Sequence, residues 1–452
     1  MAFFILFLTI CKPYIGGSGF ASVYSSVFLL LFLALTYLIY SNRHSRPISS
    51  LTLSQCYNSD AYFLYSSLQR LLKISIFFFF ASCLLVLIPS VVNNFWNIDL
   101  VVETAKFSFY CIFSSFWISL LVKNICQGKL YSINRAFDVC ILVCLSVLLS
   151  QIVKISPLYE ITSFIWSDAK LGFFALDNLS RLRFYSTFYN SNWFGLFGSM
   201  MLPYYALRFR LSRSSVVSSL EKLNSSIYYS SFILLSLLFI IVSGSRSAFL
   251  ATAVSLFILL IASCLHTLVR FAKSLYLSSN SLVSLSFFLI LLFLVLPKLL
   301  TLLAFLPRYH EIVEYGLAGS DSYSSRFDTF QSTIGNLSLF PAYRPFADYF
   351  YTHNSYLFSF QLFGVVPGSL WLLSLFSLTI FPFYYFIIRA MPRSTPIRRL
   401  SISLLLFSLH AAFLTFALTA DAFQSTQLVL TCIVLGSIYA ANILVFSRSS
   451  AS

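Results

Sequence analysis

Residues 307–355 read PRYHEIVEYGLAGSDSYSSRFDTFQSTIGNLSLFPAYRPFADYFYTHNS. This is the only long polar interruption in the C-terminal half of the chain. Five acids, three arginines and two histidines fall inside it, in a protein whose charged content is only 10%. On both sides the sequence returns at once to apolar runs of about 17–25 residues, the length that carries a helix across a bilayer. The stretch therefore reads as a loop hung between membrane spans, and the surrounding chain as the membrane body that holds it.

Composition leads to the same class. Of 452 residues, 59% are hydrophobic and the mean hydropathy is +0.86. A soluble protein carries roughly 25% charged residues, so this chain cannot supply a polar shell. Outer-membrane barrels show a ten-residue alternation that is absent here. Backbone groups in lipid must be satisfied within their own segment, which leaves helices. The expected fold is all-α: a polytopic helical membrane protein of about twelve spans, with one large periplasmic loop between the ninth and tenth. The spans are Ala2–Gly16, Ala21–Tyr40, Leu71–Val92, Val101–Val122, Ala136–Val153, Phe184–Leu207, Ile227–Val242, Ser247–Val269 and Leu282–Leu306, then, after the loop, Tyr356–Ile388, Leu400–Thr419 and Thr426–Phe446. The chain thus divides into residues 1–306, the loop 307–355, and residues 356–452. The tenth span is long enough to tilt or to include an interfacial turn.

Charge orients the bundle. With both termini cytoplasmic, eighteen of the basic residues and only three acids (Asp60, Asp138 and Glu221) fall on the inner side, and eleven of each sign on the outer. Lys/Arg excess marks the cytoplasmic face, and anionic lipid there accounts for the net charge of +15 without nucleic acid. Asp138 and Asp421 are placed at span ends, leaving mid-span positions free of charge. The nine cysteines include no CxxC, and Cys140 and Cys144 read as small packing residues rather than metal ligands. Serine and phenylalanine abound without an evident mechanism.

Four stretches fall on the predicted outer face. RLRFYSTFYNSNWFG (181–195) opens a span with Arg183 and Asn192. SGSRSAFLA (243–251) sets Arg246 in a very tight turn between spans, among small residues that let helices approach. SSRFDTF (324–330) places Arg326, Phe327 and Phe330, with Ile334 beyond, on a predicted amphipathic helix whose apolar face is expected against the bundle. THNSYLFSFQLFGVVPG (352–368) puts His353 and Asn354 at the mouth of the next span. Each has a plain alternative: arginines snorkel at interfaces, and a lone histidine is often a hydrogen-bonded structural residue.

Taken in order, Arg183, Thr187, Phe188 and Asn192, then Arg246, then Arg326, Pro341, His353, Asn354, Tyr356, Leu357, Gly364 and Gly368 resemble the O-antigen ligase and O-antigen polymerase family of bacterial envelope glycosyltransferases. The chain departs from that pattern at Ala342–Pro345, where the family carries glycines, and at Ser191, where it carries proline. The resemblance implies transfer of a glycan from undecaprenyl diphosphate to an acceptor hydroxyl at the periplasmic face of the inner membrane. The ligase branch uses lipid A–core as acceptor, the polymerase branch a second lipid-linked glycan, and a third relative a protein hydroxyl. It also implies an inverting transferase that needs no metal or other cofactor. Arginine forks suit phosphate oxygens. Arg246 and Arg326 are accordingly expected at the diphosphate, and His353 is expected to take the acceptor proton. Arg183, Asn192, Asn354 and Tyr356 are expected to bind substrate, and Glu311, Glu314, Asp321, Asp328 and Asp348 are alternative bases. A transporter or flippase is the reading from a different class.

Overall fold

A computed structural model describes residues 2–11, 60–92, 98–153, 157, 160–161, 165, 184–188, 190–214, 219–274, 321–341, 354–384, 396–423 and 425–449. All regular structure among them is helical. The helices are α1 (Ala2–Ile10), α2 (Asp60–Val92), α3 (Ile98–Cys126), α4 (Leu130–Val153), α5 (Ser191–Ser214), α6 (Ser219–Ser243), α7 (Arg246–Ser274), α8 (Asp321–Gly335), α9 (Ser355–Phe363), α10 (Val365–Thr379), α11 (Pro396–Thr419) and α12 (Thr426–Ser449).

Seven of them contain segments long and apolar enough to cross a membrane: Arg70–Ile88, Glu103–Ile125, Leu130–Val153, Leu223–Ser243, Arg246–Leu265, Arg399–Thr419 and Thr426–Val445. Each coincides with an expected span. The other five expected spans fare differently. Residues 21–40 and 282–306 lie outside the described residues. α1 has 9 residues, about half of what a bilayer needs. α5 begins seven residues later than expected, because residues 184–188 and Asn190 are not helical; it is too polar to count as a span by hydropathy and is instead buried by its neighbours. The tenth expected span is broken at Gly364 into α9 and α10.

α12 is the axis of the bundle. Nearly all of its membrane segment is buried, against less than a third for α2 and α6, and it touches α1, α3, α4, α5, α10 and α11. Its Ser437 accepts a hydrogen bond from the indole of the fully buried Trp117 at 2.7 Å. The serine content gains a mechanism here. Ser199, Ser236 and Ser359 donate to carbonyls four residues earlier, and so does Thr9. A hydroxyl that satisfies itself on its own helix can enter an apolar bundle without an orphaned donor.

Gly364 has φ +82° and ψ 163°, a conformation that only glycine adopts without strain. A Cβ there would stand 2.6 Å from the Phe340 carbonyl carbon. The break leaves the first N–H groups of α10 without intrahelical partners. Val365 and Val366 donate them to the carbonyls of Ser338 and Leu339, at 2.9 and 3.1 Å. The segment after α8 therefore completes the broken span. α10 then runs antiparallel to α2, with Ser75 and Ser82 donating to the carbonyls of Ser374 and Pro367.

One end of the bundle holds a buried polar network that charge counting misplaces. Asp138, expected at a span end on the cytoplasmic side, and Arg208, one of the eighteen basic residues expected on that side, are 2% and 4% exposed. Arg208 bonds the Asp138 carboxylate at 2.5 Å. Tyr205 and Tyr228 donate to the two oxygens of Asp138 at 2.7 and 2.8 Å, and the guanidinium lies 4.8 Å from the Tyr229 ring centre. Tyr204 donates to Asn134, which exchanges hydrogen bonds with Asn442 of α12. The pair is neutral, so the expected excess of basic charge is unchanged, but a carboxylate does stand within the apolar segment Leu130–Val153. A helix position is not a depth, and Asp138 lies about 12 Å along α4.

Candidate functional site

The opposite end of the bundle gathers four stretches of sequence. The first is the α6–α7 turn. Gly244 (φ +57°) and Ser245 alone separate the helices. The Ser245 hydroxyl accepts from the Ala248 amide at 3.2 Å, an N-cap that makes Arg246 the first residue of α7. A cation at a helix N-terminus opposes the helix dipole, at a cost of about 0.3–1 kcal/mol. α5 approaches this turn so closely that a Cβ on Gly195 would meet Ser243 and Ala248 at 2.4 and 2.7 Å. That contact puts Asn192, on the first turn of α5, beside the first turn of α7.

The second is the lead-in to α5, residues 184–188 and Asn190. The Phe184 amide donates to the last carbonyls of α6, at Val242 (3.0 Å). Ser186 has φ +50°, unusual for a residue with a side chain. It is held by hydrogen bonds to both polar atoms of the Gln151 amide and to the Cys144 carbonyl. Thr187 donates to the Ile10 carbonyl at 3.2 Å, and Gln427 of α12 donates to the same carbonyl at 2.7 Å. Cys11 lies beneath, its sulfur 3.8 Å from that of Cys144. Asn190, rather than Asn192, caps α5, accepting from the Asn192 amide at 2.9 Å.

The third and fourth are the start of α9 and the turn between α11 and α12. The Ser355 hydroxyl donates to the Ala420 carbonyl at 2.8 Å and accepts from the Phe423 amide at 3.3 Å. The Ser247 hydroxyl donates to the Thr419 carbonyl at 3.2 Å. Thr419 and Ala420 are consecutive. The residue after Arg246 and the residue two after His353, more than a hundred positions apart in sequence, thus grip adjacent peptides of one turn.

The sequence-expected residues divide accordingly. Arg246, Asn192, Asn354 and Tyr356 come to this end. The Asn354 side-chain oxygen accepts from the Tyr356 and Leu357 amides, at 3.0 and 3.1 Å, and so caps α9. The Tyr356 hydroxyl donates to the Leu414 carbonyl at 3.3 Å, and its ring meets Phe423 edge-on, 5.0 Å between centres. Arg183 and His353 lie outside the described residues. Arg326 falls on α8, where the backbone but not its side chain is described. The apolar residues expected to seat α8 on the bundle do the opposite: Phe327, Phe330 and Ile334 are 54%, 41% and 48% exposed, whereas Thr333 is 1% exposed. Thr333 can be buried because its hydroxyl donates to the Thr329 carbonyl.

Two residues passed over in the sequence become visible. Asp421 follows the carbonyl that Ser355 grips, which brings a carboxylate to the rim beside the Arg246 turn. Its acidity was the only signal, and a place at a span end concealed it. His410 is fully buried in α11, its ring stacked on Phe383 at 5.7 Å. It lies deep in the bundle, away from this rim, and reads as packing.

No protein-family model matches the chain, and no match is found among curated proteins or solved structures. The chemistry of this end is therefore read from its own residues: an arginine fixed at a helix start, carbonyls already consumed by hydroxyl donors, and a carboxylate and amides on the rim.

Proposed function

We propose that this protein transfers a glycan from an undecaprenyl-diphosphate carrier to an acceptor hydroxyl at the periplasmic face of a bacterial inner membrane, in the manner of an O-antigen ligase with lipid A–core as acceptor. On this reading the chain has twelve spans, both termini are cytoplasmic, and residues 307–355 and the Arg246 turn face the periplasm. The observation that carries the proposal is the anchoring of Ser247 and Ser355 on consecutive carbonyls. It supports the reading by bringing Ser247, the residue after Arg246, and Ser355, the first residue of α9, onto adjacent peptides of one turn. The position of Arg246 at the first residue of α7, after a two-residue turn, is compatible with a diphosphate bound at that level.

The carrier's lipid tail lies in the bilayer and its diphosphate at the interface, the level of a two-residue turn between spans. Arg246 and Arg326 hold the phosphate oxygens. The acceptor oxygen attacks the sugar C1, the bond from C1 to the diphosphate oxygen breaks, and His353 takes the hydroxyl proton. Charge grows on the leaving diphosphate, so fixed arginines stabilise the transition state more than the ground state. A single displacement inverts the anomeric centre.

The test is purified protein in nanodiscs, given a synthetic undecaprenyl-diphosphate oligosaccharide and, separately, lipid A–core, a second lipid-linked glycan, and a serine/threonine peptide. Glycosylated lipid A–core is expected without added nucleotide or metal. Arg246→Ala should lower the rate by about 10²-fold or more while leaving the melting temperature nearly unchanged. Transfer only to the second glycan would make the protein a polymerase, and only to the peptide a protein glycosyltransferase. No transfer to any acceptor, or a full rate in Arg246→Ala, overturns the proposal.

A further inference from the structure

The exposed face of α8 calls for an occupant. Phe327, Phe330 and Ile334 fall within a sector of roughly 60° on a helix of 3.6 residues per turn. Asp328, Ser332 and Asn336, all exposed, occupy a second sector. Thr329 and the buried Thr333 form the third, the side turned to the protein. A helix with one packed, one polar and one apolar exposed side is suited to a boundary between protein, water and something apolar.

The structure locates that boundary. The tail of α8 is tied by its Ser338 and Leu339 carbonyls to Val365 and Val366, beside the break at Gly364. α10 is registered antiparallel on α2 through Ser82 and Pro367. Ser82 lies six residues before the end of the apolar segment Arg70–Ile88. Gly364 is three residues further out, which sets it about 5 Å inside that end at 1.5 Å per residue. The tail of α8 is thus pinned at the rim of the membrane-spanning body. Leu339 and Phe340 are also exposed there, as is Val366, whose amide donates to the Leu339 carbonyl, and the register puts them near the level of the exposed Leu84, Leu87 and Ile88 of α2. The apolar side of α8 runs on into the belt of side chains that a bilayer covers.

We propose that α8 is an interfacial helix, lying along the membrane with Phe327, Phe330 and Ile334 among the acyl chains of the leaflet at the Arg246 end. The occupant is bulk lipid rather than a protein. Among the described side chains of α8, Asp328 is the one exposed carboxylate, and the contact proposed is the insertion of Phe327, Phe330 and Ile334 into the apolar layer. This goes beyond the glycan-transfer reading and does not depend on it.

The experiment uses the full chain in liposomes of zwitterionic phospholipid doped with a phospholipid carrying a diazirine in its acyl chain. After photolysis, adducts are mapped by peptide mass spectrometry, with Phe77 and Phe80 of α2, exposed on the belt, as the positive control. Adducts are expected on Phe327, Phe330 and Ile334 at several-fold the yield on Asp328, Ser332 and Asn336. The combined variant Phe327→Ser, Phe330→Ser, Ile334→Ser should lose the adducts and keep its melting temperature in detergent. Labelled α2 with unlabelled α8, equal labelling of the polar sector, cross-links from α8 to a second copy, or a variant that unfolds at lower temperature would each overturn the inference.

Discussion

The two ends of the bundle are built on opposite plans. At one, Asp138 and Arg208 are buried inside four helices and every charge meets an opposite charge, a phenol or an aromatic face. At the other, the contacts are single hydroxyls on helix-end carbonyls, cap residues at Asn190, Ser245, Asn354 and Ser425, close approach over Gly195 and a broken span at Gly364. A saturated ion-pair network is stiff and leaves nothing for a ligand. An end held by many weak, separate bonds can carry an arginine at a helix start and still rearrange around a headgroup. The difference teaches that the most conspicuous buried charges here are fastenings, while the functional reading rests on modest groups.

The largest effect should come from breaking the fastened end. Asp138→Ala leaves Arg208 buried without its counter-ion, and a loss of about 3–5 kcal/mol is expected, read as collapse of the melting temperature in detergent. The pair Asp138→Leu with Arg208→Leu should recover most of it; equal damage in single and double variants would show that the network does not act as a charge pair. At the other end the backbone matters more than the charge. Gly364→Ala must adopt a positive φ and meets the Phe340 backbone, so a loss of about 1–3 kcal/mol is expected. Hydrogen exchange rising first in 336–341 would locate it, and unchanged stability would remove Gly364 as the reason for the break.

Ser355→Ala should cost only about 0.5–1.5 kcal/mol yet reduce transfer well beyond that loss, because it frees the start of α9 from the turn that carries Ser247. A proportionate fall in both would reduce the contact to mere packing. His410→Leu is the smallest. Replacing a buried imidazole that stacks on Phe383 by an apolar side chain of similar size should leave the melting temperature within a few degrees, and a large drop in transfer instead would place function in the bundle interior.

Much of the fold was legible because lipid selects on composition. Seven apolar runs matched seven helices, since a bilayer demands length and hydropathy and little else. The Arg246 turn was legible from SGSR, where two helices leave no room for a loop. Other features were not. Hydropathy averages over Gly364 and cannot register one positive φ. Counting Asp138 and Arg208 as surface charge treated a span end as water, when Tyr205 and Tyr228 had made it interior. The apolar stripe of α8 was visible, but amphipathy names a face without naming the medium it meets.

By itself, then, the sequence determined an all-helical chain of membrane-protein character, where seven helices long and apolar enough to cross a membrane run, and which arginine sits in a two-residue turn between two of them. These follow from free energies of transfer that act on each segment alone. Only the tertiary structure decided that Ser247 and Ser355 meet on neighbouring peptides, that a charged pair lies buried, that a tail of loop completes a broken helix, and that α8 turns its phenylalanines outward. Those depend on which segments touch, and contact between distant residues is a property of the packed bundle that no single segment carries.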